Sequence, residues 1–435
     1  EIKRLKAEIE AARTSDEKGK NDEAKKQLQR YEEAAKDLRA RNAEVFDALA
    51  KQIDADPDPE AKIVSLNTAY EEGRPEVKEA IRRLVGYCLR GFEETLGGIG
   101  IGFDSFDYES DLVWRKAADV VLEGLKATPF ASVDKGALIL DCDRIAEDFG
   151  LKKRWGLNPE HEIPRLVLVR SDGTTLYTLR DIAYSQWKFQ RVEKVINVIG
   201  YEQTLAQLQL RIALAALGQI EMGDRQTHYA YELVRLPDFK MSGRLGKYIT
   251  LTEVIDRSVE LAYKEVTERS KHLPKEQRAE IARMVGCGAV KYTLLGVDPM
   301  KTVVFDWAKA LNFETNSAPF IQYSHARACN ILKKAMERPE PEYGGLKDVK
   351  ERELVMMVAG FPEVFEGAVN ELKPGGITAY ANSLADKFNS FYASLPVIRA
   401  ESPGLVGARL MIVDAVRIVL RNALSLLGID APERM

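Results

Sequence analysis

Between Arg165 and Leu236 the chain alternates short apolar runs with amphipathic stretches, and this alternation restricts the possible folds more than any other feature. Leu166-Val167-Leu168-Val169 is brief and wholly apolar, the pattern of a buried parallel strand, and Ser171-Asp172-Gly173 punctuates its end. A helix should follow, with Leu176, Leu179, Ile182 and Ala183 on one face and Asp172 or Thr174 as its N-cap. Val195 to Ile199 reads as a second strand, and Leu205, Leu208, Ile212 and Ala215 define a helix stopped by Gly218. Tyr229 to Leu236 reads as a third strand, after which Thr250-x-x-Glu253 forms a capping box opening another helix. A β-α-β-α-β series of this spacing predicts half of a doubly wound, parallel nucleotide-binding sheet, with ligands outside the carboxyl ends of its strands.

The flanking sequence is helical in pattern. Ile2, Leu5 and Ile9, then Leu28, Tyr31, Ala35 and Leu38, recur every three or four residues, which predicts a helical hairpin with a turn between Thr14 and Asp22. Its charges are of mixed sign and suit a solvated face. Asp54 to Pro59 breaks the pattern, and residues 60–125 read as further helices ending in a glycine-rich loop from Leu96 to Asp104. No strand leads into that loop and no Gly-Lys-Ser/Thr follows, so it is not a phosphate cradle. Beyond Asp256 the stripes Ile281, Val285 and Ala289, then Ile321, Ala328 and Leu332, then Leu410, Val413, Val416, Val419 and Leu420 predict a helical bundle.

Composition narrows the class of partner. The net charge is -4, and basic and acidic residues balance over 301–435, so any RNA contact must come from a local patch. The longest apolar stretches are interrupted by charges such as Glu202, Arg211, Arg409 and Asp414, which argues against a membrane span. The four cysteines, Cys88, Cys142, Cys287 and Cys329, are widely spaced and suggest neither disulfides nor a zinc ribbon. A reducing cytoplasm is the expected location.

Two segments carry chemistry. Tyr177 and Asp181 stand four residues apart on the helix, and a phenol beside a carboxylate suits a planar cation, which the carboxylate binds through paired charge-assisted hydrogen bonds. Asp181 could equally pair with Arg180 or Lys188 on the helix surface. The second segment, Asp238 to Lys247, is a Gly-containing loop with a Lys240-Met241-Ser242 core and basic residues on both sides, suited to reach over a polyphosphate.

The run Ser171-Asp172-Gly173-Thr174 through Tyr177, Arg180-Asp181-Ile182-Ala183-Tyr184 resembles a hallmark of arginyl-tRNA synthetases, and Lys240-Met241-Ser242 resembles the KMSKS signature of class I aminoacyl-tRNA synthetases. The resemblance implies that Tyr177 and Asp181 contact the arginine substrate. Gly200-Tyr201-Glu202-Gln203 resembles the next family segment, which makes Gln203 the third candidate. Activation of arginine by ATP passes through a pentavalent phosphorus, and ammonium groups stabilise the charge on the departing pyrophosphate. Lys240, Met241, Ser242 and Lys247 are the implied ATP contacts. Gly243 stands where the signature has its second Lys, so Arg244 or Lys247 is expected to compensate, with Lys240, Ser242 and Arg244 as the catalytic set.

Asn312 to Arg327, Phe388 to Val397 and Ala408 to Met435 resemble segments of the family's anticodon-binding domain. Aromatics interleaved with arginines suit unstacked bases. Tyr323, Arg327, Tyr392 and Met435 are the candidate anticodon contacts, while Phe320, Phe388 and Phe391 are expected in the core and His325 as a structural histidine. The likeness is specific over 85–435 and loose over 1–84.

The expected architecture is therefore the second half of a class I nucleotide-binding sheet, a helical N-terminal region and a C-terminal helical bundle. The expected divisions are a charged hairpin at 1–59, a mostly helical connective insertion at 60–164 and the catalytic half-fold at 165–255. Connecting helices at 256–305 lead to an anticodon-binding bundle at 306–435. The implied activity is arginine-tRNA ligase, with L-arginine, ATP and tRNA(Arg) as partners. Mg²⁺ would accompany ATP; no protein metal site and no tightly bound cofactor are expected. His161, His228, His272 and His325 form no His-x-Gly-His, and the chain opens on Glu1. These features lead to the expectation of a missing N-terminal half, inactivity of the chain alone and a monomer when complete. A second reading is a non-catalytic RNA-binding protein derived from a synthetase. Another class I synthetase is disfavoured by the Tyr177/Asp181 pair.

Overall fold

The computed structural model describes residues 2–12, 18–171, 173–237 and 248–435. The loop from Asp238 to Lys247, with Lys240, Met241, Ser242, Arg244 and Lys247, lies outside them, as does Asp172. Helix Ile2–Ala12 packs against helix Lys18–Arg41, burying Leu5 and joining Lys6 to Glu32 at 2.7 Å. Asn42 caps helix Ala43–Ala55 by accepting from the Val45 amide at 3.1 Å, and Asp58 with Pro59 opens helix Pro59–Glu71 in the same way. Helix Pro75–Gly97 runs into the glycine-rich segment. Arg41, the last residue of helix Lys18–Arg41, ties the N-terminal helices to a distant region: its guanidinium lies 4.3 Å over the Tyr248 ring and its Nη2 donates to the Tyr248 carbonyl at 2.9 Å.

The strands depart from the expected single parallel sheet. β1 (Ala131–Asp134) and β2 (Ala137–Leu140) form a hairpin, and β3 (Leu166–Val169) joins it antiparallel to β2. Leu166-Val169 is therefore not the first strand of a parallel series. Its apolar run hides an alternation, Leu166 and Leu168 being buried and Val167 and Val169 only half-buried, which is the habit of an antiparallel strand with one covered face. The hairpin was not anticipated. Its two-residue turn places Lys135 and Gly136 at φ 49 and 81, both in the left-handed region that such turns require.

The parallel arrangement survives further along. β4 (Val195–Gly200) pairs in parallel with β5 (Gln226–Tyr231), connected by helix Thr204–Ala216, beyond which Gly218 adopts φ 76. The third expected strand, Tyr229 to Leu236, is split. β5 ends at Tyr231, and β6 (Val234–Arg235) pairs in parallel with β7 (Val303–Val304) instead. The Glu232 amide between them donates to the Pro299 carbonyl at 2.7 Å, drawing the chain to its new partner. The capping box is present: the Glu253 amide donates to Thr250 Oγ1 at 3.1 Å and the Thr250 amide to Glu253 Oε2 at 2.6 Å, opening helix Leu251–Arg269.

Three apolar cores result among the described residues. One gathers Leu125, Leu140, Ile145, Leu168, Leu179, Ile182 and Leu210 beneath β2 and β3. A second joins helices Leu251–Arg269 and Lys275–Leu295 through Ala262, Val266, Ile281, Val285 and Phe305. The third fills the bundle of helices Ala318–Lys334, Val349–Ala359, Gly375–Ser394 and Pro403–Leu426, with Ile321, Phe388, Phe391, Val413 and Leu420 inside. A buried ion pair crosses this bundle, Arg409 Nε meeting Glu351 Oε1 at 2.7 Å.

The second core depends on backbone contact at one glycine. A Cβ at Gly286 would sit 2.7 Å from the Val259 amide nitrogen and Cα. Gly286→Val is therefore expected to lower stability by about 1 to 3 kcal/mol, the usual range for overpacking. Gly91, with nothing within 4 Å of its would-be Cβ, should accept Ala without loss. Urea unfolding of both variants checks this; a wild-type midpoint for Gly286→Val would mean that the two helices part freely.

Candidate functional site

The first candidate constellation begins where β3 turns back on itself. The Arg170 amide donates to Thr174 at 2.8 Å and the Leu176 amide to Leu168 at 3.1 Å, so the chain leaves the strand as a tight reversal. Helix Tyr177–Phe189 then starts directly, with Leu176 as an extended N-cap that offers no side-chain bond. The expected Thr174 cap is thus corrected: Thr174 is held in the reversal, three residues before the helix. Leu179, Ile182 and Ala183 are buried in the core, while Tyr177, Asp181, Tyr184 and Lys188 follow one another at spacings of three and four along the other side.

Tyr177 donates its phenol hydrogen to Gln203 Oε1 at 3.0 Å. Gln203 ends the 3-10 turn that follows β4, so the carboxyl edge of that strand meets the first turn of the helix. Asp181, one turn further on, opens into a cavity of about 300 Å³ lined by Phe106, Asp107, Glu109, Arg180, Tyr184 and Trp187. Burial pushes the Asp181 carboxyl up to about 6, the Glu109 carboxylate adds to the rise and Lys188 opposes it. Neither of the alternative ion pairs is formed as a direct bridge among the described residues. Arg180 reaches Glu109 at 3.2 Å and Glu71 at 3.3 Å, and Lys188 donates to Asn197 Oδ1 at 2.6 Å. Asn197 in turn donates to Gln207 at 2.8 Å.

Four acids therefore line this cavity, Asp107, Glu109, Asp111 and Asp181; Asp111 is bridged by Arg82 at 2.6 Å, whereas Asp181 is partly desolvated without a bonded cation among the described residues. Such a site favours a compact positive group with planar donors. Tyr184 donates to Asp107 Oδ2 at 2.8 Å, and burial together with that carboxylate pushes its phenol up to about 12. Asp107 and Glu109 escaped the sequence reading because they lie outside any periodic pattern and more than seventy residues from Asp181. Among the described residues no group of three or more His, Cys, Asp and Glu is arranged to hold a metal.

The second constellation lies in the C-terminal bundle. Tyr323, Arg327, Tyr392 and Met435 line one cleft of about 1040 Å³. The Arg327 guanidinium carbon stands 4.8 Å from the Tyr323 ring centroid and 5.3 Å from that of Tyr392. Asn389 Oδ1 accepts from Arg327 Nη1 while its Nδ2 donates to Ser324 Oγ at 2.9 Å, so the guanidinium is held from the side. Lys333, Lys334, Arg338 and Arg434 add positive charge to the walls. Phe320, Phe388 and Phe391 are buried. His325 is buried too, its Nδ1 3.0 Å from the Pro432 carbonyl, and burial lowers its pKa. Met435 also packs against the core beneath helix Lys275–Leu295. The cleft thus combines aromatic faces with cations, a surface suited to unstacked bases and phosphates.

Two family models together match most of the chain. Residues 19–307 match the family of class I tRNA synthetases (R), catalytic domain, and residues 321–435 match the DALR anticodon binding domain. Similar curated proteins include the arginine–tRNA ligase of Ignicoccus hospitalis, 42% identical over 418 residues, covering 96% of this chain and 66% of that protein. That of Saccharolobus solfataricus is 38% identical over 439 residues, covering 100% and 68%. The chain thus spans about two thirds of the length of these relatives. Among solved structures, Thermus thermophilus arginyl-tRNA synthetase superposes with a TM-score of 0.73 at 28% identity, over 88% of this chain and 72% of that one. Mycobacterium tuberculosis methionyl-tRNA synthetase, at 14% identity and a TM-score of 0.53, shares the fold alone. The likeness reaches back to residue 19 and is not confined to 85–435. Matches along nearly the whole chain lend no support to the expectation of an inactive remnant.

Proposed function

The chain belongs to the class I arginyl-tRNA synthetase family, and on that premise we propose that it acts as an arginine-tRNA ligase, joining L-arginine to tRNA(Arg) at the expense of ATP. The observation that carries this reading is the Tyr177–Gln203 hydrogen bond with partly desolvated Asp181 one helical turn away. In the proposed complex the arginine guanidinium lies on the Asp181 carboxylate, and the Tyr177 ring and Gln203 amide orient the rest of the substrate. The arginine carboxylate attacks the α-phosphorus of ATP, and pyrophosphate leaves. Lys240, Met241 and Ser242 contact the ATP, and Lys240 and Ser242, with Arg244 or Lys247 in place of the second signature Lys, stabilise the charge on the departing phosphates. The terminal adenosine of the tRNA then takes the arginyl group and AMP departs. Mg²⁺ enters with ATP as part of the substrate, and no tightly bound cofactor is needed.

The proposed division follows the chemistry: a charged hairpin at 1–59, an insertion at 60–164 that includes the β1–β2 hairpin, the half-fold at 165–255, connecting helices at 256–305 and the anticodon-binding bundle at 306–435. Tyr323, Arg327, Tyr392 and Met435 are the proposed anticodon contacts. No described helix is long and apolar enough to cross a membrane, and a cytoplasmic monomer is the proposed working form.

Calorimetric titration with L-arginine and L-citrulline tests the reading, because citrulline keeps the shape and lacks the charge. Arginine should bind and citrulline should not. Retention of tRNA(Arg) on filters should weaken steeply as salt rises. Equal binding of the two amino acids, or tRNA retention indifferent to ionic strength, would sink it.

A further inference from the structure

The proposed arginine site is assembled from two separate elements. Tyr177 and Asp181 project from helix Tyr177–Phe189, whereas Gln203 ends the turn between β4 and helix Thr204–Ala216. The Tyr177–Gln203 bond at 3.0 Å joins them at one end, and Lys188 joins them at the other. Lys188 continues the line of Tyr177, Asp181 and Tyr184, and its Nζ donates to Asn197 Oδ1 at 2.6 Å. Asn197 is buried in β4, and its Nδ2 donates at 2.8 Å to Gln207 Oε1, buried in the first turn of the next helix. These two side chains bracket Gln203 in the chain. One ammonium on the helix thus holds both the strand that leads into the Gln203 turn and the helix that leads out of it.

A neutral donor would be enough for that tie. Lys188 is instead a half-buried ammonium, and among the described residues no carboxylate bridges it directly. Its Nζ also lies 4.6 Å from the centroid of the Tyr184 ring, the residue between it and Asp181 on this side of the helix. Burial pushes its pKa down, and the Asp181 and Asp107 carboxylates oppose that. A charge held partly out of water calls for a partner, and Asp181 is within its electrostatic reach. Lys188 favours the ionised Asp181, against Glu109. Arg180, the adjacent cation, is committed to Glu71 and Glu109, and the other charges on the cavity wall are Asp107, Arg115 and Asp111, the last bridged by Arg82. Helices Ala117–Lys126 and Thr204–Ala216 meet this helix through the apolar core, where Val121, Leu125, Leu210 and Leu214 join Leu179 and Ile182. We infer that Lys188 is a positioning residue of the arginine site: through Asn197 and Gln207 it sets the Gln203 turn against the Tyr177 helix, and its charge beside Asp181 ensures that the substrate guanidinium meets an anion. The inference rests on the functional reading above.

Calorimetric titration of the full chain with L-arginine across a pH series tests it. The wild type should lose affinity as pH falls through about 6. Lys188→Gln keeps a donor for Asn197 and loses the charge, so its loss of affinity should set in about half a pH unit or more higher, with alkaline affinity kept. Asn197→Ala breaks the tie and spares the charge, so affinity should fall about tenfold at every pH without moving the midpoint. Lys188→Arg, which retains both charge and donors, should hold the wild-type midpoint. Should Asn197→Ala fail to fold, as thermal unfolding would show, the midpoint of Lys188→Gln against that of Lys188→Arg decides. A Lys188→Gln protein that keeps the wild-type midpoint, or that merely loses affinity equally at every pH, would overturn the assignment while leaving the ligase reading intact. So would a folded Asn197→Ala protein that binds arginine as the wild type does. A wild type that binds arginine no better than citrulline would instead overturn the ligase reading and this one with it.

Discussion

Asp181→Ala is expected to weaken L-arginine binding by more than the roughly 1 to 3 kcal/mol of a single charged hydrogen bond, a loss of about a hundredfold or greater. The carboxylate is partly desolvated and lacks a bonded cation among the described residues, so its attraction for a guanidinium is little screened. Calorimetry at pH 7.5 measures the effect, and wild-type affinity would remove Asp181 from the site. The same group sets the pH response. Arginine stays charged throughout, whereas the carboxyl, pushed up to about 6, must ionise to bind it. Affinity should hold above pH 7 and fall as pH drops through 6. The stability effect has the opposite sign. Because the folded protein holds this proton more tightly than the unfolded chain, stability declines as pH rises from about 4 to 6. Asp181→Asn should therefore weaken arginine binding while leaving the ligand-free protein at least as stable at neutral pH. A variant that loses stability would point to a structural ion pair instead.

Arg327→Ala should lower tRNA affinity by about ten- to a hundredfold, the scale of one stacked base together with one phosphate contact. The guanidinium fills the space between the Tyr323 and Tyr392 rings, so its removal loosens both faces at once. The salt dependence should become shallower by about one phosphate. Arg327→Lys should recover little, since an ammonium cannot present a plane to two rings or a fork to Asn389. Filter binding across a salt series measures both quantities. Affinity within twofold of wild type for Arg327→Ala would exclude the cleft as an RNA surface.

Sequence periodicity was informative where elements are long and single-faced. The stripe Ile281, Val285, Ala289 and the stripe from Leu410 to Leu420 lie inside their cores, because a helix of twenty residues repeats its pattern often enough to be unambiguous. Short strands are different. Four apolar residues at Leu166–Val169 fit a parallel or an antiparallel strand equally well, and only the partner decides. That partner was hidden in a hairpin whose Lys135-Gly136 turn is a weaker signal than Asn-Gly. Tyr177, Asp181 and Gln203 were legible as residues through a family resemblance, but the bond between Tyr177 and Gln203 depends on how β4 meets the helix. Glu109 approaches Asp181 from the first turn of the short helix Glu109–Trp114, and no spacing rule could have found it.

Arg41 and Tyr248 are 207 residues apart in the chain. At ribosomal speeds of about 5 to 20 residues per second, the first emerges roughly 10 to 40 s before the second. Throughout that interval the charged N-terminal hairpin must remain soluble without the aromatic ring on which its last guanidinium will rest. Its mixture of basic and acidic side chains can then be understood as a provision for waiting: an arm made early and docked late, which keeps from aggregating by being polar on nearly every side.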